Sequence, residues 1–224
     1  MARVAIYYAP QQDDPLTHLG STWIGRDPTT NASMPQPTLD GIDEFTAEPR
    51  LYGFHATLKP PMHLVDASDW GGLVTATRTL ADSISPFDLP RLAVFDLLGF
   101  LALQETIPCP ALQGLADSCV EQLDSFRAQP TETELVRRRR AKLSPEQDAM
   151  LVRWGYPYVF GTWFFHMTLT RRLSDAEKAV ILPAADAWFA PALTVPRRVE
   201  DICIFTQSTP GAALILAERI RLRG

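Results

Sequence analysis

The chain has 224 residues, is 46% hydrophobic and carries a formal charge of −5. That size is sufficient to bury a substantial core, and the acidic balance argues against a general nucleic-acid coating role, which usually requires a basic surface. The three cysteines have no metal-ligand spacing and are odd in number, so we expect buried thiols in a reducing compartment rather than disulfides.

The N-terminal residues give no targeting signal. Residues 1–10 alternate polar and apolar side chains and lack the apolar core of a signal peptide. No stretch approaches the roughly 20 apolar residues of a membrane span. We therefore predict a soluble, cytoplasmic protein that does not contact membranes.

The first part of the chain predicts a strand, a helix and a long connection. Residues 4–8 have β composition, and residues 16–25 predict a helix that ends at its glycine. Residues 27–50 are rich in Pro, Thr, Asn and Asp and predict an irregular connection, whose length is typical of a functional lid. Residues 52–58 predict a strand that is stopped by the following pair of prolines.

Helices and strands alternate through the middle of the chain. Ser68 is the predicted N-cap of a helix to residue 84, and residues 89–103 predict a hairpin or a bulge around a glycine. Apolar residues recur every three or four positions over residues 112–126, which indicates an amphipathic helix. Ser144, followed by Pro and Gln, predicts another helix that ends before Gly155.

The last part repeats the order strand, helix, strand pair. Residues 158–170 predict a strand, and a capping box at Ser174 opens a helix that should stop near Pro191. Residues 202–206 and 214–222 predict a closing hairpin. The first part also has a strand, a helix and a strand pair in this order. The weak repeat predicts two similar lobes facing each other.

One tripeptide pattern, His-x-Thr, occurs twice, as His55-Ala56-Thr57 and His166-Met167-Thr168. Each copy lies in an apolar run, at matching places in the two halves, and together they use half of the four histidines. In a β-strand, side chains two residues apart project on one face. Two such strands facing each other would line a cavity with two imidazoles and two hydroxyls.

Continuing the alternation extends this set of side chains. It predicts Lys59 on the face of the first motif and Thr170 on the face of the second. On the first strand, only one of Tyr7 and Tyr8 can face the cavity, and we take Tyr7 as the candidate. Imidazoles near their ordinary pKa can act as base and acid at neutral pH. Hydroxyls and an ammonium can stabilise charge on phosphate oxygens. No acidic cluster accompanies the motifs, so we expect no metal and no cofactor.

The paired motifs resemble those of the two-histidine (2H) phosphoesterase superfamily. The wider strings, residues 52–61 and 154–158, resemble its branch associated with bacterial phosphonate-utilisation operons. The resemblance spans nearly the whole chain. It implies one bilobal α+β domain over residues 1–224, with two mostly antiparallel sheets facing a central cleft and helices packed outside. It also implies metal-independent hydrolysis or transfer at cyclic phosphates or 2′-5′ linkages.

The leading functional prediction is hydrolysis of a small cyclic phosphate, such as a sugar cyclic phosphate in phosphonate breakdown, with His55 and His166 as acid and base. Thr57, Thr168, Lys59, Thr170 and Tyr7 are the predicted phosphate-binding residues. The expected partner is a small cyclic phosphate or nucleotide and not extended nucleic acid, and we expect a monomer. The sequence leaves open which histidine is the base.

Three alternatives remain at this point. The same site could ligate or process RNA ends, although the net charge of −5 disfavours the broad basic cleft that this requires. The fold could instead be a non-catalytic nucleotide-binding module, or a structural or regulatory partner in a complex.

Several other charged residues are open between two interpretations. The basic run of residues 137–140 is either a solvated face or a phosphate-gathering edge of the cleft. Arg171 and Arg172 follow the second motif. Either one of them points into the cleft, or both lie at a solvated strand end. His18 and His63 are expected to be structural or surface residues.

Overall fold

The computed structural model of the protein describes residues 3–66 and 69–224. Over these residues the strands are Arg3–Tyr8 (β1), Ala56–His63 (β2), Phe87–Leu89 (β3), Leu92–Leu97 (β4), Phe100–Glu105 (β5), Met167–Arg172 (β6), Arg197–Val199 (β7), Asp201–Gln207 (β8) and Ile215–Arg221 (β9). The α-helices are Pro15–Ile24 (α1), Ile42–Phe45 (α2), Ala47–Tyr52 (α3), Trp70–Asp82 (α4), Pro110–Gln122 (α5), Glu132–Arg139 (α6), Pro145–Trp154 (α7) and Asp175–Leu193 (α8). None of these helices is long and apolar enough to cross a membrane.

The main sheet has seven strands in the order β4-β5-β6-β2-β1-β8-β9. Every pairing between neighbours is antiparallel. At the centre, β2 and β6 are registered through a single pair, Ala56 with Met167. The sheet therefore consists of two antiparallel sets, β4-β5-β6 and β2-β1-β8-β9, that meet at a narrow seam. This confirms the predicted α+β class.

The two lobes are not consecutive halves of the chain. The first motif strand, β2, shares its set with the hairpin β8–β9 of the second half, whereas the second motif strand, β6, pairs with the hairpin β4–β5 of the first half. The short strands β3 and β7, which precede these hairpins, pair with each other in a separate two-stranded sheet. The predicted repeat is thus present in element order, but each lobe takes a hairpin from the opposite half.

Helices cover one face of the sheet. α5 packs on β2 and α4 on β8 and β9, while α1 contacts β6 and α8 contacts β4. Along β1, Ile6 and Tyr8 point into this main core, whereas Tyr7 points to the other face against Phe205. Each fully buried large apolar side chain contributes about 1.5–3 kcal/mol, so the core on this face holds the sheet in place. The other face carries a smaller buried cluster around Tyr7, against which Tyr52 of α3 packs.

The helix boundaries that depend on local caps are confirmed. Ser144 and Ser174 each form a capping box at the start of α7 and α8. Gly25 and Gly155 end α1 and α7 in the left-handed conformation, with φ of 81° and 73°. One capped helix was not predicted: Thr131 and Glu134 form the capping box that begins α6. The predicted cap at Ser68 lies outside the described residues, and Asp69 caps α4 through Gly72 N.

Other predicted boundaries were wrong. The connection over residues 27–50 contains α2 and most of α3, and Tyr52 ends α3 instead of starting a strand. β2 continues through Pro60 and Pro61, because two register shifts against β1 accommodate residues that cannot donate backbone hydrogen bonds. β6 begins only at Met167, after a 3-10 helix at Phe160–Thr162. The end of α8, in contrast, is close to its prediction: the helix contains Pro183 and Pro191 and ends at Leu193, two residues after the second proline.

Candidate active site

The seam between β2 and β6 brings the two His-x-Thr motifs together. Because Ala56 pairs with Met167 in antiparallel register, His55 lies opposite Thr168 and Thr57 lies opposite His166. All four side chains project on the face away from Ala56 and Met167, both of which lie in the main core. Opposite residues of such pairs have Cβ atoms about 5 Å apart, and diagonal ones roughly 7–8 Å. The two imidazoles are therefore diagonal neighbours on one face, each beside the threonine of the other motif.

Both imidazoles are oriented by the same local hydrogen bond. His55 Nδ1 lies 2.8 Å from Gly53 O, and His166 Nδ1 lies 3.1 Å from Phe164 O. A carbonyl oxygen only accepts, so each Nδ1 carries the proton and donates it. Each Nε2 is then the nitrogen that is free to take a proton. Thr57 Oγ1 lies 3.4 Å from His55 Nε2.

Aromatic rings hold the two imidazoles in place. The Tyr7 ring stacks on His55 with a centroid distance of 3.6 Å and an interplanar angle of 16°. His166 packs against Phe164 at 4.8 Å and edge-on to Phe100 at 6.0 Å. Tyr8 points into the main core near Phe165. Of the two tyrosines, Tyr7 is thus the one on the face of the motifs.

The electrostatic environment favours neutral imidazoles. The pKa of His55 is lowered to about 3, chiefly by burial and to a smaller extent by positive charge at His166 and Arg26, while the hydrogen bond to Gly53 opposes the shift. Burial also lowers the pKa of His166 below its ordinary value, with the bond to Phe164 opposing. Burial raises the pKa of Tyr7 well above its ordinary value, so its hydroxyl stays protonated. His55 is therefore a neutral base over the physiological range of pH.

A buried arginine that was not predicted supports the backbone before the first motif. Arg26 Nε donates to Arg50 O at 2.7 Å, and its NH2 donates to Leu214 O at 2.9 Å. These bonds fix the chain where Gly53 turns with φ of 78°. A Cβ at Gly53 would come within 2.7 Å of Pro28 Cβ, so only glycine fits there. Because Gly53 O orients His55, this turn sets the geometry of the base.

A tryptophan ties the segment before the second motif to the first motif strand. Trp163 Nε1 donates to Thr57 O at 2.9 Å. Trp163 lies three residues before His166 in sequence, so this bond holds the approach to β6 against β2. The single backbone pair at the seam is therefore supplemented by a side-chain bond.

Lys59 does not face the cleft, which corrects the prediction. A bulge in β2 places Thr57 opposite Tyr7 but Lys59 opposite Ile6, so that one extra residue reverses the alternation. Lys59 is only 1% exposed, and its Nζ donates to Val120 O at 2.9 Å and to Asp124 Oδ1 at 3.1 Å. Its ammonium neutralises a buried carboxylate behind the sheet and does not contact a ligand in the cleft.

Thr170 lies along the wall of the cleft, but it is nearly inaccessible and its hydroxyl oxygen accepts a backbone hydrogen bond. Its Oγ1 accepts the backbone N–H of Leu101 at 3.0 Å, where the register of β5 and β6 shifts. Thr170 is only 1% exposed. The Thr170 hydroxyl thus stabilises the irregular pairing of β5 with β6. We retain Thr168 as the phosphate-contact candidate on β6.

A cavity of about 240 Å³ adjoins the second motif. Its wall includes Thr168, Tyr52, Phe100 and Arg172. Arg171 and Arg172 both line this cavity, and Arg171 also forms ion pairs with Glu177, at 3.0 Å, and with Glu44. Phe100 lines this cavity and also packs against the imidazole of His166. The cavity therefore lies next to His166 and has room for the part of a small ligand beyond its phosphate.

The other sequence candidates lie elsewhere. His18 is exposed on α1, and His63 is half-buried at the end of β2 opposite Arg3. Cys119 and Cys203 are buried free thiols, and Cys109 is a half-buried one. Within residues 3–66 and 69–224, no three His, Cys, Asp or Glu side chains are grouped so that they could hold a metal ion.

Two His-x-Thr motifs side by side on neighbouring antiparallel strands of an α+β protein define a two-histidine phosphoesterase-like site, the class that the motifs resemble. A family model, DUF1045, described as a protein of unknown function, matches residues 57–215. The chain belongs to this family.

Relatives with curated names are similar over the whole chain. It is 39% identical over 233 residues to the protein named ribose 1,5-bisphosphate phosphokinase PhnN from Janthinobacterium sp. (strain Marseille), covering 100% of this chain and 51% of that protein. It is 33% identical to the protein of the same name from Laribacter hongkongensis (strain HLHK9), covering 98% of this chain and 52% of that one. The chain thus spans about half the length of these relatives.

Solved structures align over nearly the full chain at low identity. One, titled as the crystal structure of a phosphoesterase, covers 99% of this chain and 98% of its own, with 16% identity and a TM-score of 0.48. Another, E. coli LigT complexed with NADP+, has the same coverage, with 14% identity and a TM-score of 0.47.

Proposed function

We propose that the protein is a metal-independent phosphodiesterase that hydrolyses a small cyclic phosphate ester. One observation carries the proposal: the two imidazoles are diagonal neighbours on one face, and each has its Nδ1 proton committed to a backbone carbonyl. Both Nε2 atoms are then available for proton transfer to and from one phosphate. General acid–base catalysis of this kind contributes about 10²- to 10⁴-fold to a rate.

In the proposed reaction, His55 is the base and His166 is the acid. His55 has the strongly lowered pKa and is neutral, so its Nε2 takes a proton from water as the water oxygen bonds to phosphorus. The bond from phosphorus to one ester oxygen breaks, and His166, protonated at Nε2, gives its proton to that oxygen. The products are a phosphomonoester and a free hydroxyl. The negative charge of the bound phosphate favours the protonated form of His166.

Two hydroxyls complete the proposed phosphate contacts. Thr57 and Thr168 alternate with the imidazoles along the seam, so they can donate to the non-bridging oxygens while those oxygens gain charge. Tyr7 supports the ring of His55 from behind and keeps a neutral hydroxyl. We therefore propose Tyr7 as a positioning residue, which leaves the two threonines as the direct contacts.

The proposed substrate class is a pentose cyclic phosphate. The relatives are named for ribose 1,5-bisphosphate, a phosphorylated pentose. The cavity of about 240 Å³ beside Thr168 has space for a sugar ring next to the phosphate. Its two aromatic side chains, Tyr52 and Phe100, offer apolar surface to the sugar carbons, and Arg172 offers donors to its hydroxyls.

The test is a substrate screen of the purified protein after exhaustive chelation. The panel consists of ribose cyclic phosphates, 2′,3′- and 3′,5′-cyclic nucleotides and 2′-5′ oligonucleotides. We expect hydrolysis of a ribose cyclic phosphate that is unchanged by EDTA. Activity that disappears with EDTA and returns with a divalent ion would refute the proposed chemistry, and activity on the oligonucleotides alone would favour RNA processing.

A further inference from the structure

Three arginines lie at the far end of the cleft face without a carboxylate partner. Within the described residues, ion pairs engage Arg139 and Arg171 but not Arg3, Arg137 or Arg138. Arg3 Nε donates only to the neutral Gln207 Oε1, at 2.7 Å. In an acidic protein, cations that form no ion pair with a carboxylate are candidates for binding an anion.

The strand register puts Arg3 on the same face as the catalytic motifs. Arg3 and Tyr7 are four residues apart on β1, whose register with β8 is regular, so both project to the face on which Tyr7 stacks on His55. Four residues of strand span about 13 Å. One phosphate cannot contact both Arg3 and the catalytic end of β1 across that distance. A sugar with a phosphate at each side can do so, because long arginine side chains extend along the face toward the motifs.

α6 supplies the other two arginines. The Arg138 guanidinium lies 4.8 Å from the centroid of the Tyr156 ring. Burial and the positive charges of Arg137 and Arg3 lower the pKa of Arg138, while Tyr156 and Glu134 oppose this shift. Arg137 precedes Arg138 on the same helix, and Arg138 lines a cavity together with His63, which lies opposite Arg3 in the pairing of β1 with β2. Tyr52 packs beside Tyr7 and lines the cavity next to Thr168.

The surrounding polar groups leave the arginines available. A cavity of about 190 Å³ at this end is lined by His63, Thr131, Glu134 and Arg138. The only acidic member named here, Glu134, accepts from Thr131 N at 2.9 Å and from Thr131 Oγ1 at 3.1 Å as the capping box of α6. Its carboxylate is therefore directed to the start of its own helix.

We infer that Arg3, Arg137 and Arg138 form a second anion-binding subsite, which takes a phosphomonoester on the same substrate whose cyclic phosphate lies between His55 and His166. The inference rests on the proposed function and narrows its substrate class to a pentose cyclic phosphate with a second phosphate. Arginine recognises phosphate through paired, charge-assisted hydrogen bonds. The subsite would thus discriminate against substrates that carry the cyclic phosphate alone.

The experiment compares ribose 2,3-cyclic phosphate with and without a 5-phosphate. For the wild-type protein, kcat/KM should be about 10- to 100-fold higher for the 5-phosphorylated form, the value of one or two charge-assisted hydrogen bonds. R137Q/R138Q, and separately R3Q, should lose this preference and keep kcat/KM for the unphosphorylated form. R139Q, on the same helix but paired with Asp148, is the matched control and should keep the preference.

The outcomes separate the subsite from the proposed function. Equal kcat/KM for both substrates, or a preference that survives in R137Q/R138Q, overturns the subsite while leaving the hydrolase intact. If neither substrate is hydrolysed and the wider panel is also inactive, the proposed function fails, and the subsite is then tested by calorimetric titration with ribose 5-phosphate. Binding to the wild type and R139Q that is lost in R137Q/R138Q supports it, whereas absent or unchanged binding overturns it.

Discussion

At the scale of single residues, the two histidines have similar surroundings, but the pKa of His55 is lowered more strongly than that of His166. Both donate Nδ1–H to the carbonyl two residues earlier, and both have a pKa lowered by burial. His55 has the larger change, because a tyrosine ring covers it and two cationic groups lie nearby. The sequence could not distinguish base from acid, since the tyrosine comes from β1 and Arg26 from the end of α1, both distant in sequence from the motif.

The first prediction concerns the dependence of rate on pH. The reactive form has neutral His55 and protonated His166, so kcat/KM should rise above about pH 3, where His55 loses its proton. It should fall again through the His166 pKa, which lies below 6.5. The maximum should therefore lie on the acid side of pH 6.5, and the falling limb of kcat should lie at higher pH because bound phosphate favours protonated His166.

Stability must be followed at each pH in this experiment. A histidine whose pKa is lowered by folding stabilises the native state fully above the unfolded value of 6.5, and this contribution is lost as the pH falls below it. Circular dichroism at each pH separates unfolding from protonation of the base. A kcat/KM maximum well above pH 7 in a protein that is folded throughout would contradict the assignment.

The second prediction concerns the two threonines. Thr57→Val and Thr168→Val remove one hydroxyl each and preserve the shape of the side chain. Each should lower kcat/KM by about 10- to 100-fold, the value of a hydrogen bond to a charged oxygen. The profile of kcat/KM against pH should remain bell-shaped, because both imidazoles are retained. Rates equal to wild type for both variants would remove the threonines from the phosphate contacts.

At the scale of secondary-structure elements, local signals predicted what local interactions determine. The caps of α7 and α8 are confirmed because a serine and a residue three positions later suffice to form them. Thr131 and Glu134 carry the same signal and begin α6. The two prolines predict the end of β2, yet the strand continues through them, because its pairing with β1 includes bulges that sequence alternation does not reveal. Lys59 was placed on the wrong face for the same reason.

The third prediction follows from the position of Lys59 behind the sheet. Lys59→Met removes the partner of Val120 O and one of the partners of Asp124, while keeping the side-chain volume. We expect a loss of about 1–3 kcal/mol in the free energy of unfolding, with kcat/KM within a few-fold of wild type, measured by urea denaturation and steady-state kinetics. Lys142→Met, at an exposed lysine, is the control for stability. A large loss of activity in a stable Lys59 variant would return this residue to the cleft.

At the scale of the whole molecule, the sequence repeat predicted two related lobes but not how they are assembled. Each lobe combines a motif strand of one half with a hairpin of the other, and β3–β7 pairs the segments that precede the hairpins. Strand order depends on contacts far apart in sequence, which no local pattern specifies. The consequence for function is that both motifs lie at the centre of one sheet, where each lobe contributes one imidazole.

The central claim is that the two imidazoles act as a unit on one phosphate, and the turnover of His55→Ala, His166→Ala and the double variant tests it most directly. On the best substrate of the screen, each single variant should lose about 10²- to 10⁴-fold in kcat. The double variant should be little worse than the worse single variant, because removing either member already disables the pair. His18→Ala, at an exposed histidine of α1, should retain full activity. Folded single variants with near wild-type turnover, or a double variant whose loss equals the product of the single losses, would contradict the account.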